Sequence, residues 1–377
     1  MNMTLDIEKS AYGGQSISHC DGKIIFVPFT IPGEKIICET VKNKSDYAVA
    51  RVIDILEPSS DRITPDCPNF SICGGCDYLH MSYDREITEK IEIISDTLIR
   101  SAKMGPEQIP QISVLKRDRF NYRTHARIKH SRGKTGFFGK DSHTVIPFPE
   151  NGCLLLNHKI NAALGSIRFR LDETHVALDS KDSIILSSDR NLSDVSENVN
   201  ETIYNHSIGS FFQRNSLLRE DMIARVVEYS GENRDAAILE LGCGCGFFSI
   251  PLARVFKYLK GIDVSGESIE YAIRNAELNN ITNISFSVRD DATLTQDDSA
   301  DIIVADPPRA GLSAKTIDAI IRINPEKIVY VSCSPPTWAR DLRILIDNGY
   351  ELKELTMIDM FPGTKHIEII SQIGKRN

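Results

Sequence analysis

The spacing of apolar positions changes along this chain, and the changes mark its organisation. Over residues 1–58, short apolar runs (GKIIFVPF, KIICETV, AVARVIDIL) are separated by Gly, Pro and Asn/Lys turns. Runs of that length, rich in Val and Ile, predict strands. A five-stranded barrel of the OB type suits the segment. Residues 59–80 break the pattern with turn residues and three cysteines. Ile87, Ile91, Ile94 and Leu98 then fall on one helical face, predicting a helix over roughly 83–103 that Gly105 and Pro106 end. Residues 113–150 read as strands with interleaved basic and aromatic side chains, and the polar stretch 190–206 reads as a linker or surface loop. Beyond residue 236 the texture becomes strand–helix alternation. AAILELG, YLKGIDV, ISFSVRD, DIIVADPP and KIVYVSC read as buried strands, with SGESIEYAIRNAELNN, SAKTIDAIIRI and PTWARDLRILIDNG as helices. LKELTMIDM and HIEIISQI close the chain as two more strands. This alternation predicts an α/β fold with a mostly parallel, doubly wound sheet. The expected division is a β-barrel over 1–58, a small central α+β domain over 59–205 and a Rossmann-like domain over 206–377.

A chain of 377 residues is too long for one ordinary core, which supports several domains. With 41% apolar and 25% charged residues, disordered and fibrous classes are excluded. No apolar run approaches the roughly 18–20 residues of a membrane-spanning helix. The opening MNMTLDIEKSAYGG has no signal-like apolar stretch, so a cytoplasmic protein is expected. The net charge of −8 argues against indiscriminate binding to nucleic acid. Locally the balance reverses, because residues 113–140 carry nine Lys/Arg against the single acid Asp118. Phe120, Tyr122, Phe137 and Phe138 are interleaved with them. Positive charge tracks phosphates and aromatic faces stack unpaired bases, making Arg123, Arg127, Lys129 and Phe137 candidate RNA contacts. The plainer alternative is a solvated strand face with core aromatics.

The first Rossmann-like strand runs into ELGCGCGFFSIPLA. Gly242, Gly244 and Gly246 permit a tight turn and a close approach to a ligand. Asp263 ends the next strand, at the distance where an acid suits a pair of ribose hydroxyls. Dehydrogenases share this glycine pattern. The acid Glu240 immediately before the glycines favours S-adenosylmethionine over NAD, since a carboxylate there meets an ammonium better than a pyrophosphate. Asp290, at the end of the third strand, is a candidate acceptor for an adenine amine.

Three further segments bring reactive groups to strand ends: Asp306 in DPPRAG, Cys333 in VSCSPPTWARDL and Glu368 in DMFPGTKHIE. Parallel sheets bind ligands at the carboxyl ends of their strands. Cys333, with Arg309 or Arg340 near it, is a candidate thiolate nucleophile; the alternative is a buried structural cysteine. Separately, Cys67, Cys73, Cys76 and Cys153 offer four thiolates, which suit zinc or an iron–sulfur cluster.

In this order, ELGCGCG, DPPRAGL, VSCSPPTWARDL and DMFPGTKHIE resemble the RNA uracil-5-methyltransferases, and the resemblance covers essentially the whole chain. GSFFQRN resembles the segment in which that family places a cofactor-binding glutamine, here Gln213. The N-terminal region resembles a TRAM domain, an OB-like RNA-binding module. The resemblance implies a [4Fe–4S] cluster on Cys67, Cys73, Cys76 and Cys153, and S-adenosylmethionine held by Gln213, Glu240, Gly242, Gly244, Asp263, Asp290 and Asp306. It implies methylation of uridine carbon 5 in structured RNA by a monomeric protein with no membrane partner. The Cys333 thiolate would add to carbon 6 and make carbon 5 nucleophilic. Glu368 would remove the carbon-5 proton, and Asp306 would position the uracil or the cofactor. Ribosomal RNA of the 23S type is the first expected substrate and the T-loop of transfer RNA the second. Departures from the family pattern are Ser334 for Asn, Trp338 for Leu, Gly363 for His or Gln, Asp263 for Glu, and Gly242 where an aromatic often contacts the cofactor. Two different readings are a noncatalytic RNA-binding protein that keeps the pocket and an NAD-type oxidoreductase. Cys333 with Glu368 argues against the first, and DPPRAG with Glu240 against the second.

Overall fold

The computed structural model describes residues 2–169, 172–187 and 193–376. Its internal contacts divide the chain into two compact units. One comprises Met1–Asp96, Ile128–Leu154 and Phe361–His366; the other comprises Thr97–Arg127, Leu155–Met360 and Ile367–Asn377. The stretch 59–205, read from sequence as one domain, is shared between them.

The first unit holds a six-stranded sheet in the spatial order Asn2–Asp6, Lys35–Asn43, Tyr47–Glu57, Lys23–Pro28, Gln15–Cys20, Lys9–Ala11. Register shifts between Lys35–Asn43 and Tyr47–Glu57 bend the paired strands. The sheet curls over a core of Leu5, Ile25, Val27, Ile36 and Cys38. Six strands replace the five expected. The short strand Lys9–Ala11 folds back on Gln15–Cys20 through Gly13 and Gly14, whose φ values of +109° and +82° need glycine. A three-residue strand is too short to show a period.

The helix Tyr83–Arg100 buries Ile87, Ile94 and Leu98 as its period requires. It also buries Glu86, Glu89 and Lys90, which no apolar pattern foretells. The strands Lys134–Phe138 and Val145–Pro147 pair antiparallel and back the cysteine segment. Gly74 N donates to Phe138 O at 3.0 Å, and Lys140 N donates to Ile72 O at 2.9 Å.

The second unit carries an eight-stranded sheet ordered Ile284–Val288, Tyr258–Asp263, Ala237–Leu241, Ile302–Ala305, Lys327–Ser332, Glu368–Lys375, Tyr350–Ile358, Ile112–Leu115. The first five strands are parallel, and Glu368–Lys375 runs antiparallel to both its neighbours. Chain order reverses beside Ala237–Leu241, which opens a crevice at the carboxyl ends of the central strands. The helices Gly266–Leu278, Ala314–Ile323 and Pro335–Asp347 lie where the periodicity puts them. Trp338 is fully buried and donates from Nε1 to Ser371 Oγ at 2.9 Å.

Two expectations change here. Ile112–Leu115, read as part of the central domain, pairs parallel with Tyr350–Ile358 at the edge of the large sheet. The supposed linker 190–206 contains the antiparallel hairpin Asp194–Val199 with Thr202–Ser207; residues 190–192 of that stretch lie outside the described residues. Its tight turn holds Asn200 and Glu201 at φ +47° and +61°, the left-handed pair that a two-residue hairpin loop uses. The hairpin alternates buried and exposed positions, but its buried face includes Glu197 and His206 beside Val195 and Tyr204. Polar groups on the inner face hid the period from an apolar count.

Candidate active site

The strand Ala237–Leu241 ends in a backbone turn through Gly242, Gly244 and Gly246, with φ +73°, +54° and +90°. A Cβ on Gly242 would lie 2.8 Å from the Asp306 carbonyl oxygen, whereas one on Gly244 would meet nothing within 4 Å. The turn is packed on one side and open on the other. Asp263 ties two loops together, accepting from Gly244 N at 2.9 Å and from Ser265 N at 2.8 Å. Glu240 is 1% exposed. Its Oε2 accepts the Ser249 hydroxyl, while its Oε1 is buried with no hydrogen-bond partner. Burial pushes this carboxyl up to about 8. An unpaired buried acceptor costs about 1–3 kcal/mol, so Glu240 Oε1 fits a donor from a ligand, and a cationic ammonium best of all. Gln213 is buried in the same unit. Asp290 is exposed and already accepts from Ala292 N at 2.9 Å, capping the turn Asp291–Thr293.

Asp306 follows Ile302–Ala305, Cys333 follows Lys327–Ser332, and Glu368 opens Glu368–Lys375. The structure brings the three together, because the Glu368 and Asp306 charges both act on Cys333 and that of Asp306 acts on Glu368. Burial pushes the Cys333 thiol up to about 11, helped by the Glu368 and Asp306 charges and opposed by Arg309. Burial, then Asp263, raises Asp306 to about 7. Burial, then Asp306, holds Glu368 well above the usual carboxylate range, again opposed by Arg309. The free protein therefore keeps Cys333 as a thiol at neutral pH rather than the expected thiolate. One guanidinium does not outweigh burial and two carboxyls. Arg340 is committed elsewhere, donating to Asp341 Oδ1 at 2.8 Å and to Ala310 O at 3.0 Å.

Cys67, Cys73, Cys76 and Cys153 gather in the first unit. Burial raises the Cys73 thiol, and the sulfurs of Cys153 and Cys67 raise it further; Cys76 is driven up more strongly by burial and the other three cysteines.

The basic segment divides. Arg123 and Arg127 lie in the second unit, Lys129 and Phe137 in the first. Arg123 Nε donates to His125 O at 2.9 Å, and Arg127 is exposed. Lys129 Nζ lies 4.8 Å from the Phe138 ring centroid, and Phe137 packs edge-on to Phe148. Tyr122 is core, which corrects its reading as an interleaved surface aromatic. Arg214 was missed from sequence. Burial, then the charges of Arg123 and Arg127, lowers it to about 10, so three guanidinium groups share one neighbourhood. Arg127 and Arg214 line a small cavity with His125, His175, Ser210 and Phe212.

A second buried group was also missed. Among the described residues, His125, Glu197 and His206 bring potential ligand atoms within 4.8 Å of one another. Arg219 already donates to both Glu197 oxygens, at 2.9 and 3.2 Å. A cation entering there would face a guanidinium and a carboxylate already neutralised, so the trio is a poor metal centre. Polar residues spread over three strands and a helix start carry no local motif, and only the fold assembles them.

A family model described as tRNA (Uracil-5-)-methyltransferase matches residues 158–297 and 286–375. An Aquifex aeolicus protein described as an uncharacterised RNA methyltransferase is 32% identical, with 98% of this chain and 97% of that protein covered. The chain belongs to the RNA uracil-5-methyltransferase family. Another relative of this methyltransferase is the 23S rRNA (uracil(1939)-C(5))-methyltransferase RlmD of Vibrio campbellii, 28% identical over 99% of this chain and 96% of that one. The fold matches the crystal structure of Pyrococcus abyssi tRNA (uracil-54, C5)-methyltransferase in complex with S-adenosyl-L-homocysteine. That match has a TM-score of 0.76 at 23% identity and covers 98% of this chain and 100% of that one. The protein is thus an S-adenosylmethionine-dependent RNA (uracil-C5) methyltransferase with a Rossmann-like domain and an N-terminal curled β-sheet. Among the described residues no helix is long and apolar enough to cross a membrane.

Proposed function

We propose that this methyltransferase acts on transfer RNA, at a T-loop uridine, through a covalent bond between Cys333 and carbon 6. The mechanism is carried by one observation: the charges of Glu368 and Asp306 both act on Cys333, and that of Asp306 on Glu368, where the strands Ile302–Ala305 and Lys327–Ser332 end and the antiparallel strand Glu368–Lys375 begins. The substrate reading is supported by the family model's description and by the fold match over both full lengths. It displaces the ribosomal RNA preferred from sequence. The Vibrio campbellii relative keeps 23S ribosomal RNA as the second reading.

S-adenosylmethionine supplies an electrophilic methyl group, and Glu240 Oε1 is the acceptor we assign to its ammonium. Asp263 takes the ribose hydroxyls, with Gln213, Gly242, Gly244 and Asp290 completing the pocket. Asp306, whose carboxyl sits near neutrality, takes the Cys333 proton as sulfur bonds to carbon 6. The electron pair moves into the uracil enolate, and carbon 5 takes the methyl group. Glu368 as carboxylate then removes the carbon-5 proton. The ring double bond re-forms, the carbon–sulfur bond breaks, and the thiolate recovers its proton from Asp306. Arg123, Arg127, Lys129 and Phe137 are the RNA contacts in this reading.

The decisive experiment uses transfer and ribosomal RNA fragments substituted with 5-fluorouridine. Fluorine cannot leave as a proton, so elimination stalls with the base on the enzyme. A denaturant-stable adduct with transfer RNA, absent in Cys333→Ala, is expected. An adduct with ribosomal RNA alone would move the substrate to the second reading, and no adduct with either would remove the covalent mechanism.

The four cysteines, in this proposal, hold a [4Fe–4S] cluster. Thiolates are the donors such a cluster takes. The Cys73 and Cys76 thiols are both raised by the sulfurs of Cys67 and Cys153, which puts the four in one neighbourhood. Anaerobic purification should give iron and sulfide in about equal amounts; stoichiometric zinc without iron would overturn the assignment.

A further inference from the structure

Three segments of the second unit meet around a cavity that the methyl-transfer chemistry does not use. They are the start of the strand His125–Ser131, the strand Glu173–Leu178 and the run 208–214 that follows the hairpin. Backbone bonds fix them to one another: Thr124 N donates to Arg214 O at 3.1 Å, and Leu178 N donates to Thr124 O at 2.9 Å. His125, Arg127, His175, Ser210, Phe212 and Arg214 line the cavity, and no carboxylate does. Its empty space, mouth included, is about 250 Å³. That is below the roughly 300–1,000 Å³ of a pocket that encloses a whole small-molecule ligand, and it suits a single oxyanion.

The acids nearby are already engaged. Glu197 accepts two bonds from Arg219, at 2.9 and 3.2 Å, and Glu173 Oε1 lies 3.3 Å from His175 Nε2. Ser210 Oγ donates to Ser207 O at 2.7 Å. Among the described residues, neither Arg127 nor Arg214 has a carboxylate partner. Burial, then the charges of Arg123 and Arg127, lowers Arg214 to about 10, as befits a cation whose charged neighbours are cations. Burial and the Arg219 charge hold His125 well below its usual value, so the positive charge at the cavity belongs to arginine. A half-buried guanidinium without a counterion is costly, and its five N–H groups need acceptors. A phosphate answers both needs, because the guanidinium fork matches two of its oxygens.

We propose that this cavity is a subsite for one backbone phosphate of the RNA, anchored by Arg214 with the exposed Arg127 beside it. This rests on the reading of RNA as the substrate. The methionine carboxylate of the cofactor is another oxyanion, and Gln213 adjoins Arg214 in sequence. The phosphate is favoured because Arg127 reaches solvent and belongs to the run 113–140, with its nine Lys/Arg against one acid. Phosphates reward such a run with counterion release.

The test is RNA binding by the full chain, using T-loop and ribosomal RNA fragments over a range of salt. For whichever fragment forms the Cys333 adduct, Arg214→Gln should weaken binding about tenfold and reduce the slope of log affinity against log salt by about one. Arg214→Lys keeps the charge and loses the fork, so it should restore the slope and only part of the affinity. The Arg214 side chain has no partner to strand, so Arg214→Gln should melt no lower than the parent and bind S-adenosylhomocysteine unchanged. A neutral methylphosphonate linkage walked along the fragment identifies the phosphate. At one position it should cost the parent about tenfold and Arg214→Gln nothing further, since the two changes remove the same contact. Unchanged affinity and slope in Arg214→Gln, or losses that add at every linkage, would overturn the subsite, while the adduct of the parent leaves the RNA reading standing. Weaker S-adenosylhomocysteine binding with RNA binding intact would overturn it in favour of the cofactor carboxylate. If the parent neither binds nor forms an adduct with either fragment, the RNA reading falls and takes the subsite with it.

Discussion

Arg309 opposes the upward shift of both Cys333 and Glu368. In the proposed mechanism both groups work deprotonated, and burial raises both. The rate of adduct formation should therefore climb as pH rises through neutrality toward the Cys333 value of about 11. Arg309→Ala removes the cation that favours the ionised forms, and should move this profile upward by about one pH unit. Rapid-quench measurement of adduct formation from pH 6 to 10 checks it; a profile unchanged in Arg309→Ala would remove the arginine from the account. Glu240 shows the same physics put to binding. Its unpaired oxygen and its carboxyl near 8 leave it neutral until a cation arrives.

The hairpin Asp194–Val199 with Thr202–Ser207 carries a lesson about elements. Its sequence is polar, and it still packs, because its inward polar groups have partners. Arg219 at the start of Arg219–Ser230 reaches Glu197, Thr124 Oγ1 and Gln213 O, the last at 2.7 Å. His206 stacks on Phe212 with ring centroids 4.5 Å apart, and Tyr204 donates its hydroxyl to Phe247 O at 3.0 Å. Removing one side of such a pair strands the other, so Arg219→Met should cost about 3–5 kcal/mol. The paired change Glu197→Gln with Arg219→Met should recover much of that. Urea denaturation of the parent and both variants tests this, and a single variant as stable as the parent would show that the pair is not what holds the hairpin. Gln213 sits within this framework, and its backbone carbonyl is one of the Arg219 acceptors.

At the scale of the whole molecule, the carboxyls raised by burial set the response to pH. Glu89 and Asp306 are pushed up to about 7, Glu240 to about 8, and Glu368 higher than its usual range. The unfolded chain gives up these protons near pH 4.3, so above that pH the native state binds more protons than the unfolded state. Stability then falls as pH rises. This contribution is complete below the unfolded values and is lost as pH passes through the folded ones, each unit of displacement being worth about 1.4 kcal/mol. The ligand-free melting temperature should decline by several degrees between pH 5 and 8. Added S-adenosylmethionine should recover part of the loss by giving ionised Glu240 a partner. Calorimetry across that range decides it, and a melting temperature that rises toward pH 8 would show that the buried acids are paired in a way these contacts do not capture.

The sequence by itself determined the Rossmann-like half: its strands, its helices, the glycine turn with Glu240 and Asp263, and the strand-end groups Asp306, Cys333 and Glu368. Those features are local, since apolar runs, turn glycines and short motifs lie within a few residues of one another. Only the tertiary structure decided the rest. Ile112–Leu115 joined the large sheet through a pairing more than 200 residues away, and no period records a partner at that distance. Arg214, Arg219, Glu197 and His206 became a buried polar group because separate elements brought compensating charges and donors to the same place. Asp77, Glu86 and Lys90 look like solvated charges in a list of residues. In the fold Asp77 and Glu86 accept the Lys365 and Gly363 backbone N–H groups, and Lys90 Nζ donates to Phe361 O. Cys333 remains a thiol for the same kind of reason: its chemistry is legible in its neighbours along the chain, but its proton is held by neighbours in space.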